Sequence, residues 1–276
     1  RDYNYGPARP AHADFSAYCK YHGFEDYRGG GHFSGRITAA LVAAGGVNIP
    51  ALEGIGISLA THIAKCAGVS DRKLGDIESD IKSLNAKSFP VLDDARGEEM
   101  AQRILKAREE ADSVGGVTET VICGTPAGVG EPWFDSVESV ISHAAFSLGG
   151  VKGVEFGAGF AVADMMGSEC NDPLRVSGGR IVTTTNNNGG INGGITNGMP
   201  IVFRCAVKPT PSIAQQQDTV DFIKNENTQL SIHGRHDPAI IRRICPVLDS
   251  VAALCVADML SLRYGTDVLT KGVDDK

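Results

Sequence analysis

Hydrophobic positions along the chain follow helical spacing in some stretches and form β-branched runs in others. Ser34 can cap a helix with apolar residues at the i, i+3, i+4, i+7 spacing, namely Ile37, Ala40, Leu41 and Ala44, and Gly45-Gly46 should end it. A second amphipathic helix is predicted over 97–114, and Gly115-Gly116 should stop it. Both helices are expected to bury one face.

Strands are predicted where β-branched residues cluster, over 117–123, 151–156 and 201–207. Helices are predicted over 132–148 and over a long apolar stretch, 237–262, which Pro246 should bend because proline lacks a donor and crowds the preceding turn. This order of elements indicates an α/β or α+β class. No repeat or interdomain linker interrupts 1–276, so one domain is expected.

Composition narrows the class of partner. The 276 residues are 42% hydrophobic, enough for a large core. With 33 acidic and 26 basic side chains and no Lys/Arg-rich run, the chain is not expected to bind nucleic acid. Seven cysteines without a CxxC pair indicate reduced thiols in a cytoplasmic protein rather than disulfides or zinc ligands. No apolar stretch is expected to approach the roughly 20 residues that cross a bilayer.

Candidate chemistry lies in four polar, glycine-marked segments. Glycines at such positions mark tight turns or close approach of the backbone to a ligand, and backbone amides there can bind anions. The segments are RPAHAD at 9–14, RGGGHFSGR at 28–36, NNNGGINGGITNG at 186–198 continuing to KPTPS at 208–212, and GRHDP at 234–238.

Taken together, these segments resemble the chorismate synthase family. The family's RPxHAD occurs as RPAHAD, its RGGG turn unchanged, its GGIxxGxxI segment near NGGITNGMPI, its KPTxSI as KPTPSI, and GRHDP unchanged. The order of the five motifs is that of the family. The resemblance runs from Arg1 to about Arg263.

The resemblance implies an α+β fold in which helices are sandwiched between antiparallel β-sheets. It also implies a homotetramer with FMN near subunit boundaries. The activity implied is the anti-elimination of phosphate from 5-enolpyruvylshikimate 3-phosphate to give chorismate, with reduced FMN. NADPH would serve as an external or intrinsic reductant; a chain that also reduces its own flavin is one alternative.

Residue roles carry over position by position. His12 and Asp237 match residues that the family uses for acid–base chemistry at the flavin. The matched cofactor-binding positions are Arg9, Ser34, Gly149, Gly150, Gly193, Lys208, Pro209, Thr210, Pro211, Ser212 and Arg235. Plain structural roles remain open: a helix cap for Asp237, a surface ion pair for Arg9, backbone-held packing for His12, and turns for the glycines.

The chain departs from the family pattern in two places. His32 and Phe33 stand where many members have Arg and Ser, which puts flavin contacts by these side chains in doubt. The family's GESHG segment has no match, and the sequence opens on Arg1 rather than Met, so an upstream segment is expected to be missing. The alternative reading is a truncated FMN-binding fragment without catalytic activity.

Overall fold

The computed structural model describes residues 5–28, 30–232, 234 and 237–272. It confirms the α+β class, with separate helices and antiparallel sheets. The helices are α1 Asp14–Tyr21, α2 Ala39–Gly54, α3 Ile77–Asn85, α4 Asp94–Glu109, α5 Val137–Phe146, α6 Gly167–Cys170, α7 Ile241–Tyr264 and α8 Val268–Lys271. The strands are β1 Ser58–Cys66, β2 Val69–Ser70, β3 Gly116–Cys123, β4 Val151–Phe156, β5 Leu174–Ser177, β6 Arg180–Thr183, β7 Ile191–Asn192, β8 Ile195–Thr196, β9 Ile201–Val207, β10 Gln217–Asp221 and β11 Glu226–Leu230.

A five-stranded antiparallel sheet, in the order β2-β1-β3-β9-β4, supports the helices. Three two-stranded sheets, β5-β6, β7-β8 and β10-β11, complete the strand content of the described residues. Alternate residues of β9 are buried in the same core cluster as α7, because successive side chains of a strand point to opposite faces. These residues are Ile201, Phe203, Cys205 and Val207.

Helix α7 is the core helix, and Pro246 lies inside it. Fourteen of its residues are buried. Their packing compensates for the backbone hydrogen bond that Pro246 cannot donate, so the helix continues through the proline. The predicted long helix is therefore confirmed, although it begins at Ile241 rather than at 237.

Helix α2 continues through Gly45-Gly46 to Gly54, so the prediction that these glycines end it is wrong. Gly45 lies against α7: a Cβ added there would clash with Ser250 Oγ and lie 2.8 Å from Ser250 Cα. The glycine thus lets the two helices approach closely, a role that helical spacing alone does not reveal. Ser34 caps a short 3-10 turn, Gly35–Thr38, that leads into α2.

Two other helices differ from prediction at their ends. Helix α4 starts earlier because the Asp93 side chain accepts hydrogen bonds from the Ala95 and Arg96 amides, and it stops at Glu109, short of Ala111 with its left-handed φ of 56°. Helix α5 starts later because Ser136 caps it. The predicted strands are observed as β3, β4 and β9, whereas the prediction missed the long strand β1.

Two helical stretches, Gly35–Gly54 and Ile241–Tyr264, are long and apolar enough to cross a membrane by length and composition. The expectation that no apolar stretch approaches this length is therefore wrong. Most of Ile241–Tyr264 is buried inside the protein, whereas Gly35–Gly54 is largely exposed. A buried core helix meets the same two criteria, so length and composition do not make this a membrane protein.

Candidate active site

The RPAHAD segment forms a tight turn that ends in helix α1. Arg9 donates to Asp14 from its backbone amide at 2.9 Å and from Nε and Nη2 at 2.8 and 2.7 Å. Burial would raise the pKa of Asp14, but the hydrogen bonds from Arg9 outweigh it, so the pKa is lowered and the carboxylate stays charged. Ala11, between them, has a left-handed φ of 58°, and the turn presents the His12 side chain.

His12 contacts the KPTPS segment, 200 residues away in sequence. Its Nε2 lies 2.9 Å from Ser212 Oγ. Lys208 Nζ donates to the carbonyl of Ala11 at 2.9 Å, so a second contact joins the same two segments. The structure thereby brings together two motifs that the sequence singled out separately, RPAHAD with His12 and KPTPS with Lys208 and Ser212.

The KPTPS segment is itself held from two sides. The Lys208 amide donates to Gly150 O at 2.9 Å, which places Gly149-Gly150 beside it. Ser113 Oγ donates to Thr210 O at 2.6 Å. Thr210 Oγ1 is buried and, within the described part of the chain, has no hydrogen-bond partner. A buried hydroxyl without a partner is uncommon because it costs about 1–3 kcal/mol.

Asp237 and Pro238 of the GRHDP motif reach the same end of the sheet through the residues before β3. The Val114 amide donates to Pro238 O at 2.8 Å. Val114 follows Ser113, whose hydroxyl donates to the carbonyl of Thr210. Asp237 accepts from the Ala239 amide at 3.2 Å and pairs with Arg243 Nε at 2.8 Å. Asp237 therefore caps the approach to α7 and carries an ion pair. Arg235 lies outside the described residues.

Two further predicted positions, Ser34 and Gly193, lie in turns. Ser34 Oγ accepts from the Arg36 amide at 3.3 Å within its own turn. Gly193 lies in the turn between β7 and β8. Gly190, just before β7, packs against the carbonyl of Pro200, the residue that precedes β9. Lys208 follows the other end of that seven-residue strand, about 20 Å away. Gly193 and Lys208 therefore lie towards opposite ends of β9.

Comparisons with known proteins decide the family. A family model described as chorismate synthase matches residues 3–261. The chorismate synthase of Pyrococcus abyssi is 45% identical over 256 residues, 92% of this chain and 70% of the relative, and that of Chitinophaga pinensis is 47% identical over 263 residues, 95% of this chain and 70% of the relative. The chain belongs to the chorismate synthase family. It is thus an enzyme of the lyase class.

A solved chorismate synthase has the same fold. Its crystal structure superposes with a TM-score of 0.73 at 27% identity, over 91% of this chain and 71% of that one. The likeness therefore extends over most of this chain.

A polar ladder in this chorismate synthase family member escaped the sequence analysis. His62, Glu119, Arg204 and Glu155 face one another in register across β1, β3, β9 and β4. The contacts are His62 Nε2 to Glu119 Oε1 at 3.2 Å, Arg204 Nη1 to Glu119 Oε2 at 3.0 Å and Arg204 Nε to Glu155 Oε1 at 2.6 Å. A signal was available: each ladder residue is an ionisable side chain within a strand of mainly apolar or β-branched residues.

The seven cysteines carry no comparable chemistry. All are free, as the sequence predicts. Burial raises the pKa of Cys66 to about 11 and of Cys205 to about 12, so both thiols stay protonated near neutral pH.

Proposed function

We propose that this chain converts 5-enolpyruvylshikimate 3-phosphate to chorismate and phosphate with reduced FMN. The contact of His12 with Ser212 carries the proposal, because it joins the RPAHAD and KPTPS motifs in one site. Membership of the family supports the reaction, and the site supplies residues of the types that it needs.

The residues present fit a flavin phosphate. Lys208 supplies a cation, Ser212 a hydroxyl, and Thr210 a buried hydroxyl that lacks a partner among the described residues. Backbone amides and hydroxyls of such a loop suit phosphate oxygens. Reduced FMN, when bound, supplies transient electron donation that helps phosphate to leave.

The chain's own residues then manage protons and orientation. His12 supplies an imidazole, the type of side chain that most often transfers protons in catalysis. Arg9 is held by Asp14 with a fixed guanidinium direction, suited to polar edges of a ring. Asp237 is proposed as a second proton carrier, in competition with its ion pair to Arg243.

Assembly and location extend the proposal. Gly193 lies at the far end of β9 from Lys208, so a second copy of the chain would account for a role of Gly193 at FMN. We therefore propose a homotetramer with sites at subunit boundaries, which sedimentation of the chain with FMN would test. Seven free cysteines support a cytoplasmic location. NADPH is proposed as the reductant.

Anaerobic turnover tests the function. We expect chorismate from 5-enolpyruvylshikimate 3-phosphate with reduced FMN and none without flavin. FMN titration gives the binding arm: Lys208→Ala should weaken binding about 10-fold, as loss of a charge-assisted bond implies, whereas Lys106→Ala, at an exposed position of α4, should not. Turnover without flavin contradicts the proposal. FMN binding without turnover identifies a non-catalytic fragment.

A further inference from the structure

The contact between His12 and Ser212 suggests a role for the serine beyond binding a cofactor. We propose that Ser212 is a positioning residue, whose hydroxyl holds the His12 imidazole ring in both of its protonation states. This inference rests on the proposed function for its catalytic consequence, but the contact itself is a property of the chain.

Both backbones that meet at this contact are anchored independently of it. On one side, Arg9 and Asp14 close the turn that carries His12. On the other side, Ser113 holds the Thr210 carbonyl, two residues before Ser212. Lys208 then ties the two segments together through Ala11 O. Hydrogen bonds on both sides of the contact therefore help to fix the 2.9 Å separation of His12 Nε2 and Ser212 Oγ.

A hydroxyl is suited to a histidine that changes charge. Serine has one donor and two acceptor lone pairs, and its O–H rotates. It can donate to Nε2 of the neutral ring, and it can accept from the Nε2–H of the imidazolium. The ring can then gain or lose a proton without losing its partner.

His62 in the same chain shows the opposite arrangement. Its Nδ1 lies 2.9 Å from Asp71 Oδ2 and its Nε2 lies 3.2 Å from Glu119 Oε1. Burial would lower the pKa of His62, but hydrogen bonds to the two carboxylates outweigh it, and the pKa is raised. Carboxylates accept only, so they favour the charged ring and oppose proton release.

Among the described residues, charged groups near His12 include Asp14 and Lys208, with Arg9 paired to Asp14. Asp14 favours the imidazolium and Lys208 opposes it, so the surroundings contain both signs. Ser212 adds orientation without adding charge.

The test uses the full chain with ¹⁵N-labelled histidine and follows the ring nitrogens by NMR across pH. Ser212→Asp copies the carboxylate of the His62 site and should raise the His12 pKa by about 1 to 3. Ser212→Ala should change the Nε2 signal and the ratio of tautomers, and Ser212→Thr, which keeps a hydroxyl, should restore both. The signals of His62 should not respond to any of the three changes.

Turnover supplies the second readout. Ser212→Ala should lower kcat about 10- to 100-fold, the cost of a poorly oriented catalytic group, and Ser212→Asp should move the pH profile to higher pH. Unchanged His12 signals in Ser212→Ala, with weaker FMN binding, would overturn the positioning role and leave the function intact. Normal NMR responses without any chorismate would overturn the proposed function and leave the contact established.

Discussion

At the scale of single residues, His12 is the most informative side chain to change. If it manages a proton at the reduced flavin, His12→Ala should lower kcat by about 10- to 10⁴-fold, the usual range of an acid–base contribution and its indirect effects. FMN affinity should change much less. Steady-state kinetics and FMN titration check both numbers, with unfolding temperature as the control for the fold. Near-normal kcat with much weaker FMN binding would instead make His12 a binding residue.

Asp249 on α7 gives a residue-scale prediction about stability. Burial raises the pKa of its carboxyl group to about 7, interactions with Thr61 oppose this only in part, and Oδ1 has no partner among the described residues. Between its ordinary pKa of 3.8 and about 7, the folded chain binds more protons than the unfolded chain. The free energy of unfolding therefore falls as pH rises through this window and levels off above it.

Asp249→Asn should remove this decrease in the free energy of unfolding with rising pH. A pKa change of this size corresponds to roughly 4 kcal/mol, at about 1.4 kcal/mol per unit of pKa. We expect the difference in the free energy of unfolding between the variant and the parent chain to be more favourable to the variant at pH 8 than at pH 4. Denaturant unfolding at each pH measures this difference. Asp258→Asn, at an exposed position of the same helix, is the matched control. Parallel pH profiles for Asp249→Asn and the parent chain would show that the carboxyl group ionises freely in the fold.

At the scale of elements, the crossing of α2 and α7 depends on one glycine. Gly45→Ala should destabilise the chain by about 1–3 kcal/mol, because the new methyl group meets the Ser250 backbone as well as its side chain. Gly46→Ala has open space around its Cβ and should stabilise the helix by up to about 1 kcal/mol. Thermal unfolding of the two variants compares neighbours of equal helix propensity. Similar effects at both positions would contradict a close crossing at Gly45.

The same crossing shows what sequence patterns can predict. Strands β3, β4 and β9 follow from their β-branched runs, and motif resemblance singles out His12, Lys208 and Ser212 as site positions. The end of α2 cannot be predicted in this way, because a glycine pair commonly marks the end of a helix. Here Gly45 instead makes room for Ser250 of α7, a contact that only the structure shows. The contact of His12 with Ser212 joins residues 200 apart, and local spacing contains no information about such a pair.

At the scale of the whole molecule, the polar ladder joins four strands. Arg204 links three of them, β3, β9 and β4, and His62 adds β1 through Glu119. The Arg204 guanidinium bonds Glu119, Glu155 and the carbonyl of Gly157. Arg204→Met should therefore remove the guanidinium partner of two part-buried carboxylates and cost on the order of 3 kcal/mol in denaturant unfolding. Arg96→Met removes an exposed ion pair with Glu99 and should cost less than about 0.5 kcal/mol. Equal losses would mean that solvent already screens the ladder.

The position of β9 in the sheet has a consequence for synthesis. β9 lies between β3 and β4, so β4 leaves the ribosome well before its neighbour in the sheet. Until Val207 has emerged, both earlier strands present edges that another chain can pair with. Contacts between such distant segments also form slowly, because loop closure precedes the gain from pairing. The sheet is therefore completed late, and a nascent chain that stalls before β9 would be the form most prone to aggregate.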